Sequence, residues 1–164
     1  MKGFPKAAWA APVTALLLVV PVLTLPATAA AQLSASIGGG VANPLGDFGD
    51  FVDPGFTLRG QVGLNLLVAG VHAQVGYSRF SGIEDEGAGL ETGDVNIYHY
   101  GLGGRVGVGL AWIGATAARF SGDGEGTFGF IPEVGVGLGP LEAVADVRVT
   151  GDQKWWALRG ALRF

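Results

Sequence analysis

From Trp155 to Phe164 apolar and polar positions alternate. Trp156, Leu158, Gly160, Leu162 and Phe164 share one side, and Trp155, Ala157, Arg159, Ala161 and Arg163 share the other. A period of two residues predicts a strand with one apolar and one charged face. The same period recurs upstream. Leu33 to Ala42 sets Leu33, Ile37 and Val41 against Ser34 and Ser36, and Phe56 to Asn65 sets Phe56, Leu58, Val62 and Leu64 against Thr57, Arg59 and Gln61. Val71 to Phe80, Val95 to Val108, Thr127 to Leu138 and Leu141 to Val149 repeat it, while Ala111 to Phe120 alternates least clearly. Eight strands of about 9–11 residues follow, each long enough to cross a bilayer when tilted. Pro132 falls inside one of them and predicts a bulge there.

The connections differ in kind. Asn43 to Gly55, Ser81 to Asp94, Ser121 to Gly126 and Thr150 to Lys154 hold eleven of the fourteen acidic residues. The intervening links, near 66–70, 109–110 and 139–140, are short and carry no charge. In an up-and-down barrel the first set emerges at one end and the second at the other, which predicts an acidic, loop-rich outer end and a trimmed inner end. Phe56, Tyr77, Phe80, Tyr98, Tyr100, Phe120, Phe128, Phe130, Trp155 and Trp156 lie close to acidic loops in sequence. That predicts an interfacial girdle at the outer end, with Trp112 and Phe164 at the opposite boundary. The expected fold is all-β, an eight-stranded antiparallel up-and-down transmembrane β-barrel. A soluble β-sandwich also alternates, but would have to fill its core from strands this rich in glycine.

The first 31 residues have a different composition. Lys2 and Lys6 precede an apolar run from Val13 to Leu25, and Ala29-Ala30-Ala31 precedes Gln32. This is the form of a cleavable export signal, with cleavage expected after Ala31 and the barrel domain over 32–164. Pro21 and Pro26 argue against a retained helical span. After Ala31 there are eight basic and fourteen acidic side chains, so the net charge is about −6 and nucleic-acid binding is not expected. Cysteine is absent, so no disulfide ties the exported domain together.

Two stretches carry a family resemblance. Gly38-Gly39-Gly40-Val41-Ala42-Asn43-Pro44-Leu45-Gly46-Asp47-Phe48-Gly49-Asp50, followed by Pro54-Gly55-Phe56, resembles the first hairpin of small outer-membrane β-barrel domains. The terminal pattern of Trp156, Leu158, Gly160, Leu162 and Phe164 resembles the signal by which the barrel-assembly machinery recognises its clients. The match is to single-domain OmpX-like or OmpW-like barrels, or to an OmpA-type barrel without its peptidoglycan-binding domain. The resemblance implies residence in the bacterial outer membrane, contact with outer-membrane lipid and with the assembly machinery during insertion, a monomer, and little or no open pore.

Candidate chemistry is sparse. Arg59, Arg105, Arg148, Arg159 and Arg163 are predicted to face the lumen, with Glu133, Glu142 and Asp146 as partners. An eight-stranded barrel barely accommodates its own side chains, so these predict a hydrogen-bonded plug; the alternative is a gated ion path. His72 and His99 also face the lumen by parity, away from any lipid-facing groove that a barrel lipid hydrolase would need, and no Gly-x-Ser-x-Gly stretch occurs. Asp47, Asp50, Asp53 and the Glu84-Asp85-Glu86 triplet offer oxygen ligands without EF-hand spacing, and read as solvated loops. No catalytic residue, cofactor or metal is expected, and no extracellular ligand is legible. The expected role is structural, adhesive or surface-protective. The alternative is an OmpW-like channel or carrier for small hydrophobic compounds, and a lipid-modifying enzyme ranks below both.

Overall fold

The computed structural model describes residues 31–164 except 67, 86–89, 92 and 123–125. The expected export signal lies outside the described residues, apart from Ala31. Strands β1 (Ala31–Leu45), β2 (Gly55–Leu66), β3 (Ala69–Phe80), β6 (Val95–Val108), β7 (Ala111–Ser121), β8 (Thr127–Leu138), β9 (Leu141–Thr150) and β10 (Gln153–Arg163) form a barrel. Two short strands, β4 (Glu84–Asp85) and β5 (Leu90–Glu91), pair in a loop. All pairings are antiparallel, and the order β1-β10-β9-β8-β7-β6-β3-β2 closes on itself. Closure satisfies the backbone groups that a sheet edge would leave bare, which a hydrocarbon surround requires.

The expected parity holds around the wall. Leu58, Leu102, Val106, Ile113, Val134 and Leu158 are exposed, whereas Thr57, Arg59, Gln61, Gln74, Glu133 and Arg148 are buried. This is inside out relative to a soluble domain, and an apolar surface that runs round the barrel belongs in lipid. β7 resolves the least clear segment: Ile113 faces out, and Trp112, Thr116 and Phe120 face in.

Four details differ from the sequence reading. The first loop is shorter than expected, because β1 runs on to Leu45 and a 3-10 turn spans Gly46–Asp50. The last connection is a two-residue turn, since Gln153 already pairs with Thr150 across Gly151 and Asp152. Pro132 causes no bulge: β8 keeps one register with β7 throughout and resumes the same register with β9 on either side of a gap at Ile131 and Pro132. Proline lacks the N–H that the ladder would use, so pairs are lost without a residue being squeezed out. The girdle is also thinner than expected. Phe80, Phe120 and Trp155 are buried inside, and Trp112 faces the lumen. Phe56, Tyr98, Tyr100, Phe128, Phe130 and Trp156 stay outside.

The links at the other end are as tight as predicted. Gly139 has φ of 64° and precedes Pro140, whose ring holds φ negative, so this hairpin is of the II′ kind, with glycine first. At the closing seam a Cβ on Gly40 would lie within 2.8 Å of the Leu158 carbonyl and the Arg159 Cα. Gly40→Val is therefore expected to prevent closure of β1 on β10, and the variant should run as unfolded protein in unheated detergent gels where the parent runs as a compact band.

Candidate functional site

The lumen is filled in three layers. At the acidic-loop end Phe48, carried inward by the 3-10 turn, meets Phe80 and Trp155 at ring-centroid distances of 5.2 and 6.0 Å. Phe120 reaches Trp155 at 5.6 Å. The Phe48–Phe80 and Phe120–Trp155 pairs pack edge to face and Phe48–Trp155 is tilted, and together they make an apolar lid. Arg148 lies beneath it, with its guanidinium carbon 5.9 Å from the Trp155 ring centre.

The middle layer is ionic. Asp146 accepts from Arg148 Nε at 2.9 Å and from Arg159 Nε at 2.9 Å and Nη2 at 2.5 Å. Glu133 accepts from Arg59 at 2.5 Å. Arg148 also donates to Ser78 Oγ at 2.7 Å, and Ser78 donates to Thr57 at 3.1 Å. All these side chains are buried. Because β8 and β9 set Glu133 beside Asp146 in register, the two carboxylates form one negative step that three guanidinium groups share. Charge-assisted bonds in so dry a setting are strong, and each group depends on the others.

The third layer lies toward the tight turns. Arg105 donates to Asn65 Oδ1 at 2.9 Å, and Arg105 and Arg163 both reach Glu142 at 3.4 Å. Asn65 in turn donates to Ser34 at 2.9 Å. Trp112 stands under the Arg105 guanidinium, 5.4 Å from ring centre to Cζ. Of the residues predicted for the network, Arg59, Glu133, Asp146, Arg148 and Arg159 thus meet in one cluster, and Arg105 sits in a second one with Glu142 and Arg163. The inward placement of Phe80, Phe120 and Trp112 escaped the sequence reading, and Asn65, on the face of Arg59, was not among the predicted network residues. The parity of Trp155 with Arg159, and of Phe80 with His72, Gln74 and Ser78, is the signal that pointed to the lid.

His72 and His99 occupy places made for them by glycine. A Cβ on Gly103 would stand 2.6 Å from His72 Nε2, and one on Gly76 2.2 Å from His99 Cε1. His72 Nε2 lies 2.9 Å from Thr116 Oγ1 and 3.6 Å from Glu133 Oε1. One nitrogen faces both neighbours, whereas a nucleophile relay needs the acid and the hydroxyl on opposite ring nitrogens. Both imidazoles are buried. Among the described residues no group of three or more His, Cys, Asp or Glu side chains gathers as a metal site.

Outside the barrel wall Arg79 holds Asp94 at 2.5 Å, with both side chains about half exposed. That hydrogen bond, with a second from the Gly82 N–H, holds the Asp94 carboxyl below the usual carboxylate range. A depressed folded-state pKa means that the contribution is present above the unfolded value and is lost as pH falls through the folded one. Exposure keeps it small. NMR titration should find the Asp94 midpoint below 3.8, and Arg79→Gln should return it toward that ordinary value.

The terminal residues Trp156, Leu158, Leu162 and Phe164 all point outward, and Gly160 shares their face. No protein-family model and no curated protein matches the chain. The fold, however, is similar to that of Neisserial surface protein A. The crystal structure of that protein superposes with a TM-score of 0.50, covering 81% of this chain and 97% of that one at 14% sequence identity. The likeness is one of architecture: the chain has the fold of a small outer-membrane barrel.

Proposed function

We propose that this protein is a monomeric, non-enzymatic barrel of the bacterial outer membrane with a structural, adhesive or surface-protective role, and that its lumen is plugged by its own side chains. The observation that supports this reading most is the succession along the lumen of aromatic lid, ionic middle and lower Arg105–Glu142–Arg163 group. The apolar outer wall and the acidic loops gathered at one end support the location and orientation, with Asp47, Asp50, Asp53 and Asp152 outside. In this reading the outward terminal face of Trp156, Leu158, Gly160, Leu162 and Phe164 is what the assembly machinery reads, and export across the inner membrane is accompanied by cleavage after Ala31.

Planar-bilayer recording tests the plug. The expected trace shows no steady conductance, and a stable open level in the parent protein would overturn it.

One observation favours the carrier alternative. The ladder gap at Pro132 underlies a hollow of about 460 Å³ in the outer wall, bordered by Ile113, Pro132, Val134, Ala145, Val147 and Trp156. Uptake of a small hydrophobic solute by vesicles containing the protein, lost when Pro132→Ala restores the ladder, would select that role instead.

A further inference from the structure

The third layer borders a cavity of about 320 Å³ at the tight-turn mouth, lined in part by Gln32, Asn65, Arg105, Trp112 and Arg163. We propose that this cavity is a binding site for a phosphate group, held by Arg163 and Arg105 and sensed by the Trp112 indole.

Charge is the first reason. Two guanidinium groups share one carboxylate, Glu142, and each reaches it only at 3.4 Å, which is long for a charge-assisted bond. The cavity wall therefore keeps a surplus positive charge. Arg163 makes this contact through Nη1 and is still 43% exposed in its side chain, and the rest of its fork has no hydrogen-bond partner among the described residues. Phosphate suits such a fork, because its oxygens accept parallel N–H bonds from one guanidinium plane.

The second reason is the indole. Trp112 lines the cavity beneath the Arg105 guanidinium, and its buried Nε1 donates to no group among the described residues. The nitrogen edge of the ring packs against Gly135, where a Cβ would come within 2.7 Å of Nε1, so the indole senses a ligand through the Arg105 guanidinium stacked on it. Gln32 and Asn65 add neutral polar groups to the lining. The volume lies at the lower end of the range for small-molecule sites, enough for a phosphate with a short substituent.

The phosphate could belong to a soluble ester or to a lipid headgroup folded over the rim at Val68 and Leu110, both of which are exposed. The site does not depend on whether the lumen conducts, so a failed bilayer experiment would leave it standing.

The test follows the Trp112 indole N–H resonance of the protein in maltoside micelles while inorganic phosphate is added. A second series uses micelles doped with phosphatidylglycerol. A saturable shift in the first series supports a soluble ligand, and one confined to the second supports a lipid headgroup. Arg163→Gln should weaken either by about tenfold, as expected for loss of one charge-assisted pair. Arg163→Lys, which keeps the charge but loses the fork, should fall between and serves if the glutamine variant does not fold. No shift in either series, or the same affinity in both variants as in the parent, would overturn the proposal.

Discussion

Asp146→Ala should lower the unfolding free energy by about 3–5 kcal/mol, the cost of stripping a buried ion cluster of the partner it shares. Among the described residues the carboxylate is the only hydrogen-bond acceptor for Arg159 Nε and Nη2 and for Arg148 Nε, and both arginines are almost fully buried. Removing it leaves two cations facing each other, with only Glu133, 3.9 Å from Arg159, to offset them. Asp146→Asn keeps an oxygen acceptor and should cost less. Asp94→Ala, which breaks the exposed pair with Arg79, should change stability far less than either, because solvent screens that pair. Urea titrations in lipid vesicles, with unchanged slope, give all three values on one scale. Equal effects at Asp146 and Asp94 would mean that the middle layer is wet and loosely held.

Leu102→Arg is the second large effect, and its sign is what sets this fold apart. Leu102 is 72% exposed in the middle of β6, its neighbours across the ladders being Ala73 and Ala117. On a soluble protein so exposed a position would accept arginine within about 0.5 kcal/mol. At the midplane of a bilayer the same change costs about 2–4 kcal/mol. Val108→Arg, at the tight-turn end of the same strand, should cost about 0–1 kcal/mol, because the penalty fades toward the interface. A gradient along the outward face of one strand reports hydrocarbon directly; equal tolerance at both sites would place that face in water.

The wall was legible in the sequence because a period of two leaves each residue only two directions. Once Arg59, Arg105, Arg148 and Arg159 were assigned inward, the apolar partners on those strands had to face out. The same rule placed Trp155 inward with Arg159. Sorting the aromatic residues by their nearness to acidic loops set that rule aside, and so put Phe80, Phe120 and Trp155 in the outer girdle. Nearness along the chain specifies depth in the membrane, while parity specifies side. β7 was faint because Gly114, Ala115, Ala117 and Ala118 are small on both faces, and because Arg119 faces out while Trp112 and Phe120 face in, against the polarity of the other strands. The partners within the lumen were not legible at all. Which carboxylate meets which arginine depends on barrel register, which sets Glu133 beside Asp146 across β8 and β9. Phe48 was hidden for another reason: a glycine- and aspartate-rich stretch reads as an open loop, and only the 3-10 turn carries its aromatic ring back over the mouth.

Trp155 and Trp156 are adjacent in sequence and lie on opposite sides of the wall, the first fully buried and the second 37% exposed. Two single-tryptophan proteins, each keeping one of them and carrying phenylalanine at the other and at Trp9 and Trp112, allow one fluorescence measurement in vesicles of lipid brominated high on the acyl chain. The expected result is strong quenching of Trp156 and almost none of Trp155. Equal quenching of the two, or of neither, would contradict a barrel with hydrocarbon outside and its own side chains within.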